Sequence, residues 1–239
     1  MSGIKLHLII LIFLSKNAFS QKDSATVSTD SVVPVSTQSS VFYVQGSYLN
    51  SFRTFEDNTP YGVLYRRNNE APISTGGFEL GTHIELTKHT KLSLGVSFFS
   101  GGEDYSFSDT LTDSTFYYKN KYRQVGIPLK LNFIIGSTWQ AYGFAGVIPS
   151  SILHRQYSSD YTTVEGEEIE NDVEVIKNGL ASFQLVGSVG LGARYQFSSG
   201  SVYAFGEYRQ NLTNTYLSDF VVHRMRAVGF GLGVTMTVN

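Results

Sequence analysis

The 239-residue chain holds 17 Phe, 15 Tyr and 1 Trp against only 16% charged residues, with 23 Gly and a formal net charge of −2. That charge content is well below the roughly 25% of an ordinary soluble domain, so part of the surface is expected to face something other than water. A balance of 18 basic and 20 acidic residues excludes a polycationic nucleic-acid surface, and the absence of Cys excludes disulfide scaffolds, thiolate metal sites, cysteine nucleophiles and a lipidated N-terminal cysteine.

Residues 1–20 read as a secretory signal peptide: Lys5, an apolar run from Leu8 to Leu14, then Ala18-Phe19-Ser20, with cleavage expected between Ser20 and Gln21. The run is too short for a spanning helix, which needs about 20 apolar residues, and no later stretch comes closer. If the exported chain enters a membrane it must do so as strands. Residues 21–39 are mostly Ser, Thr, Val, Asp and Gln around Pro34, the composition of a disordered linker, here a periplasmic one. The remaining 40–239 form the third segment, a barrel domain.

From residue 41 the pattern is alternation, least clean in the first strand, Val41 to Leu49. Phe78, Leu80, Thr82, Ile84 and Leu86 share one face, and after Lys88-His89-Thr90 the alternation resumes with Leu92, Leu94, Val96 and Phe98. A three-residue turn there predicts Leu86 opposite Leu92 and Ile84 opposite Leu94, with both apolar faces on one side. Val125, Ile127, Leu129, Leu131 and Phe133 lead to Ser137-Thr138, and Tyr142, Phe144, Gly146 and Ile148 are expected on the matching face, with Phe133 opposite Tyr142. Pro128 cannot donate to a ladder and predicts a bulge or local widening. A third hairpin is expected to turn at Ser199-Gly200, with Gly192 opposite Glu207. The chain closes with Val228, Phe230, Leu232, Val234, Met236 and Val238 alternating with small residues.

Eight strands result, and their connections alternate: long over 50–74, 101–120 and 152–180, moderate over 213–223, and short over 88–90, 136–138 and 198–200. Tight turns on one side and extended loops on the other predict an all-β fold, an eight-stranded antiparallel up-and-down transmembrane β-barrel of the cell outer membrane. Sixteen strands of about 10 residues would leave no chain for the long loops. A soluble eight-stranded barrel would turn a face rich in Lys and Glu to water, whereas the polar parity here is mostly Gly, Ser, Ala, Gln and Asn, which suits a narrow packed lumen. Phe133, Tyr142, Tyr195 and Phe197, near the short turns, fit an interfacial aromatic girdle.

The inward parity carries Glu79, His83 and Glu85, then Lys130, Arg194, Glu207 and Arg209. They read as a paired lumen plug, because eight strands leave an interior just wide enough for side chains and charges away from water must be paired. Arg194, diagonal to Glu207, is the expected partner. The rival reading is a charged water path. His83 beside Glu85 lacks a serine, second histidine or acid in any recognisable catalytic motif. Seven acids between His154 and Asn178 do not match a calcium-loop spacing and read as a solvated external loop. No catalytic residue, metal or cofactor is expected, and the partners expected are outer-membrane lipids and, for the linker, other envelope proteins.

Tyr122-Arg123-Gln124-Val125-Gly126-Ile127-Pro128-Leu129-Lys130-Leu131 resembles the central strand of the small outer-membrane β-barrel families that include the PorT-like proteins. Glu207-Tyr208-Arg209-Gln210-Asn211-Leu212-Thr213-Asn214 is similar to a Glu-x-Arg-Tyr strand and Leu-Thr-Asn of the same group, with the order of Tyr and Arg reversed. The final Met236-Thr237-Val238-Asn239 lacks the terminal aromatic that often ends such barrels. The resemblance implies an outer-membrane barrel rather than a reaction. The expected role is therefore structural or interactive, with a narrow porin or a PorT-like accessory of protein secretion as the alternative.

Overall fold

The computed structural model describes residues 40–57, 70–108, 114–163, 165–170, 174–176, 179–217 and 221–238. The expected signal peptide, the Ser20/Gln21 cleavage site and the linker lie outside these residues. The strands are β1 (Ser40–Asp57), β2 (Glu70–Ala71), β3 (Ile73–Thr87), β4 (Thr90–Ser108), β5 (Thr115–Gly126), β6 (Leu129–Gly136), β7 (Trp139–Thr162), β8 (Glu168–Glu170), β9 (Glu174–Ile176), β10 (Gln184–Phe197), β11 (Gly200–Asn211) and β12 (Val221–Val238). β5 and β6 form one stave interrupted at Ile127-Pro128, so the ring runs β1, β3, β4, β5/β6, β7, β10, β11, β12. It closes where Ser40 pairs with Val238, giving an antiparallel barrel of eight staves. A closed ring leaves no barrel edge unpaired.

The faces follow the alternation. On β12, Phe230, Leu232 and Met236 point outward and are exposed while Thr235 and Ala227 are buried; on β1, Phe42 and Val44 are exposed and Tyr43 and Gln45 buried. Trp139 packs edge-on against Tyr195 at 4.9 Å, and with exposed Phe133 and Phe197 they ring the short-turn end.

Each hairpin register departs from expectation, for a local reason. The first turn is Lys88-His89 alone, and a bulge between Glu85 and Thr87 sets Ile84 opposite Leu92 and Thr82 opposite Leu94. In the second, Phe133 faces Gly143 and Ile134 faces Tyr142, one residue from the expected pairing. A one-residue slip exchanges faces, so Tyr142, Phe144 and Ile148 point inward and are buried, and Tyr142 is not a girdle residue. The third turn is Ser198-Ser199, with Phe197 opposite Gly200, so Glu207 faces Gly190 and Arg194 faces Tyr203. A shift of two preserves the faces but moves the expected partners apart.

Pro128 produces no bulge: Gly126 faces Ser150 and Leu129 faces Val147, the same register on both sides of it. Ile127 N–H still donates to Pro149 O at 2.9 Å. The irregularity lies higher on β7, where Arg123 pairs with His154 but Gln124 with Ile152, leaving Leu153 extra. The connections expected as long are partly strand, since β4 runs to Ser108 and β5 starts at Thr115. β7 has 24 residues, more than twice the roughly 9–11 a membrane crossing needs.

Inside, Ile134, Tyr142, Phe144, Tyr203 and Phe205 form one buried cluster. The inward glycines of β12 make room for it. A Cβ on Gly233 would lie 2.3 Å from the Tyr203 ring and one on Gly231 2.3 Å from the Phe205 ring. The lumen is thus filled by large rings seated on glycines, not lined by small residues alone.

Candidate functional site

At mid-lumen the register brings together two acids and two bases from three staves. Glu79 of β3 accepts from Tyr43 OH at 2.8 Å and from Lys130 Nζ at 2.8 Å. Glu207 of β11 accepts from Ser188 Oγ at 2.7 Å and lies 2.9 Å from Arg209 Nε, with Lys130 Nζ 3.7 Å away. Lys130 therefore sits between both carboxylates, and none of the four side chains is more than 4% exposed. Two negative and two positive groups balance, which is how charges away from water persist. Rings close the cluster: the ammonium of Lys130 is 4.9 Å from the Phe144 centroid, and the guanidinium of Arg209 is 5.1 Å from that of Phe99.

Two expectations are corrected here. Arg194 is buried but does not pair with Glu207; its Nη2 donates to Gln196 Oε1 at 3.0 Å. The register shift of the third hairpin is the cause, since Glu207 finds Arg209 on its own strand and Lys130 from β6. Glu85 is exposed, opposite Lys91 at the short-turn rim, and is not a lumen charge. His83 is buried, but its Nδ1 is 2.8 Å from Ser93 Oγ and its ring stacks on Tyr43 at 4.6 Å, apart from Glu85. Glu79, Lys130, Glu207 and Arg209 thus form one buried charged group, with buried His83 and Arg194 in a second group nearer the short turns.

Sequence reasoning did not find the polar partners. Tyr203 OH donates to Gln45 Oε1 at 3.0 Å and Tyr142 OH to Asn132 Oδ1 at 2.9 Å. Alternation marks which residues point in but carries no signal for which meet. Above the cluster, a cavity of about 20 Å³ lies among Ser51, Phe99, Gln124, Arg209 and Asn211, room for about one water.

A further polar knot occupies the long-loop extension. Glu103 accepts from Asn120 Nδ2 at 2.7 Å and lies 3.6 Å from His223 Nε2, with Tyr122 OH bonded to Tyr216 OH at 2.7 Å. Glu103 falls in a segment expected as loop, so its inward direction was not legible. On the outer face of the same region Tyr117 OH donates to Asp104 Oδ2 at 2.7 Å. Burial, then the hydrogen bond and charge of Asp104, push the Tyr117 phenol up to about 12. No group of three or more His, Asp or Glu side chains that would hold a metal occurs among the described residues.

No family model matches the chain, so the PorT-like resemblance gains no support from that side. The curated proteins give no match either. Among solved structures, the chain is similar to Neisserial surface protein A at 10% identity and TM-score 0.41, covering 82% of this chain and 97% of that one. The outer membrane protein OprG from Pseudomonas aeruginosa is 14% identical at TM-score 0.38, covering 82% and 96%. The outer membrane protease OmpT from Escherichia coli is 11% identical at TM-score 0.41, covering 89% and 100%. These likenesses are too distant to say which role the chain has.

Proposed function

We propose that the protein is an integral outer-membrane barrel with a side-chain-filled lumen, whose role is structural or interactive and carried by the long-loop side. The observation that carries this reading is the pairing of a continuous exposed apolar band outside with a charge-balanced, buried network inside. In water that band would be a liability far larger than the few hundred Å² of apolar patch a soluble monomer tolerates. Leu191, 76% exposed, and Leu232, 66% exposed, sit mid-strand within it. In a bilayer the same residues meet lipid, and the closed ring satisfies the backbone.

The plug weighs against the narrow-porin alternative, because the ring cluster and the four charged groups occupy the space through which solute would pass. The role of PorT-like secretion accessory draws only on the sequence resemblance. Ser93 Oγ and His83 Nδ1, 2.8 Å apart, are buried in the packed lumen beside Tyr43, and the reading gives this pair a packing role and includes no catalysis.

The chain lacks cysteine, so single-cysteine labelling is clean. Glu167→Cys on the long-loop side is expected to react with a membrane-impermeant maleimide in intact cells, and Lys88→Cys at a short turn only after lysis. Labelling of Lys88→Cys in intact cells, or recovery of the chain as a soluble periplasmic protein, overturns the reading.

A further inference from the structure

We infer that the outer face of β5 is a binding site for the phosphorylated headgroups of outer-leaflet lipid. On the β5/β6 stave the outward residues are apolar from Ile135 to Val125 and then cationic at Arg123, Lys121 and Lys119. Their direction is set by their neighbours, since Asn120, Tyr122 and Gln124 between and beside them are all buried in the interior. At about 3.3 Å per residue and a tilt near 40°, the ten steps from Ile135 to Val125 rise about 25 Å, the height of the apolar band of such barrels. The three cations therefore begin where hydrocarbon ends, at the level of headgroup phosphates.

The stave's neighbours set one acid, Asp104, against the three cations. Arg123 lies opposite Ser100 on β4 and His154 on β7; Lys121 lies opposite Gly102 and Gln156. Only Lys119 faces an acid, Asp104, which already accepts from Tyr117. Among the described residues none of the three makes an ion pair. Across the ring, Arg226 and Arg224 of β12 point outward between buried Met225 and Ala227, at nearly the same height above their own strand end. Asp104 apart, acids on this side lie higher, at Asp160, Glu167 and Glu168 near the tip, so charge runs from apolar through mainly basic to acidic with distance from the short turns. A soluble polyanion would have to pass that acidic tip, whereas a lipid headgroup reaches the basic level from within the membrane plane. This favours lipid.

The inference rests on the membrane reading, and its test separates the two. The full chain is inserted into phosphatidylcholine vesicles and, in detergent micelles, titrated with fluorescent lipid A carrying both phosphates or none. The parent is expected to bind the phosphorylated form more tightly, with sensitivity to salt. K119Q/K121Q/R123Q is expected to lose about a hundredfold, near fivefold per charge, while the charge-keeping K119R/K121R/R123K retains binding. Equal affinity of the parent for both forms of lipid A overturns the site whatever the variants do. So does equal binding by the parent and the neutral variant. Tighter binding of a sulfated octasaccharide, lost in the same variant, would assign the stripe to a soluble polyanion instead. Failure of the chain to enter vesicles overturns the membrane reading and the site with it.

Discussion

Glu207 is the most exacting test of the lumen, because its loss leaves Lys130 and Arg209 sharing Glu79 as the one remaining carboxylate of the cluster. The carboxylate side chain of Glu207 is 0% exposed and is held by Ser188 at 2.7 Å and Arg209 at 2.9 Å, with Lys130 at 3.7 Å. Removing one side of a buried pair typically costs about 3–5 kcal/mol, so Glu207→Ala is expected to lose that much, and Glu207→Gln nearly as much because the amide keeps the shape but not the charge. Glu207→Ala/Arg209→Ala removes the orphaned cation too and is expected to cost less than the sum of its parts. Arg194 bonds Gln196 instead, so Arg194→Ala and Glu207→Ala are expected to add within about 0.5 kcal/mol. Urea midpoints of refolded parent, single and double variants in one detergent give the cycle. A cost below about 1 kcal/mol for Glu207→Ala, as for solvent-screened pairs, would refute the dry plug; strong coupling of Arg194 to Glu207 would refute the pairing described above.

The outer band is tested by Leu191→Arg, expected to cost about 2–4 kcal/mol near the bilayer midplane in vesicle-refolding equilibria; no loss at all at so exposed a position would mean that water, not lipid, covers it. Gly233→Val drives carbon into the Tyr203 ring, which a Cβ alone would approach to 2.3 Å, and a cost of about 1–3 kcal/mol is expected from overpacking, with unchanged thermal melting the contrary result. Tyr117 has its phenol raised from 10.0 to about 12, so its contribution to stability is complete below pH 10 and disappears as pH rises through about 12; Tyr117→Phe should remove that step from the alkaline denaturation profile, and an unaltered profile would contradict the Asp104 contact. Planar-bilayer recording should find the parent silent and Tyr142→Ala/Phe144→Ala/Tyr203→Ala leaky, since those rings fill the lumen; steady conductance from the parent would show an open path.

Strand number, the faces of most strands though not those of Tyr142, Phe144 and Ile148, and the asymmetry of connections were legible in the residues themselves, because side chains alternate with a period of 2 and this property is local. Phe230, Leu232 and Met236 announce their outward direction, and Glu79, Lys130, Glu207 and Arg209 their inward one, without reference to any partner. Which inward charges meet is a matter of register, which a bulge at Leu86 or one loop residue more or less can change, and nothing in the alternation of a single strand records it. The slip at Ser137-Thr138 carried Tyr142 and Phe144 from the lipid face into the core, and the turn at Ser198-Ser199 set Arg194 opposite Tyr203 instead of near Glu207. Lys130 and Glu79 are 51 residues apart, and only the pairing of their staves on either side of β4 sets their relative level. The extension of β4 and β7 beyond the apolar band belongs to the same class, since a polar segment such as Glu103 reads as loop until neighbouring strands supply its ladder and give its carboxylate an interior.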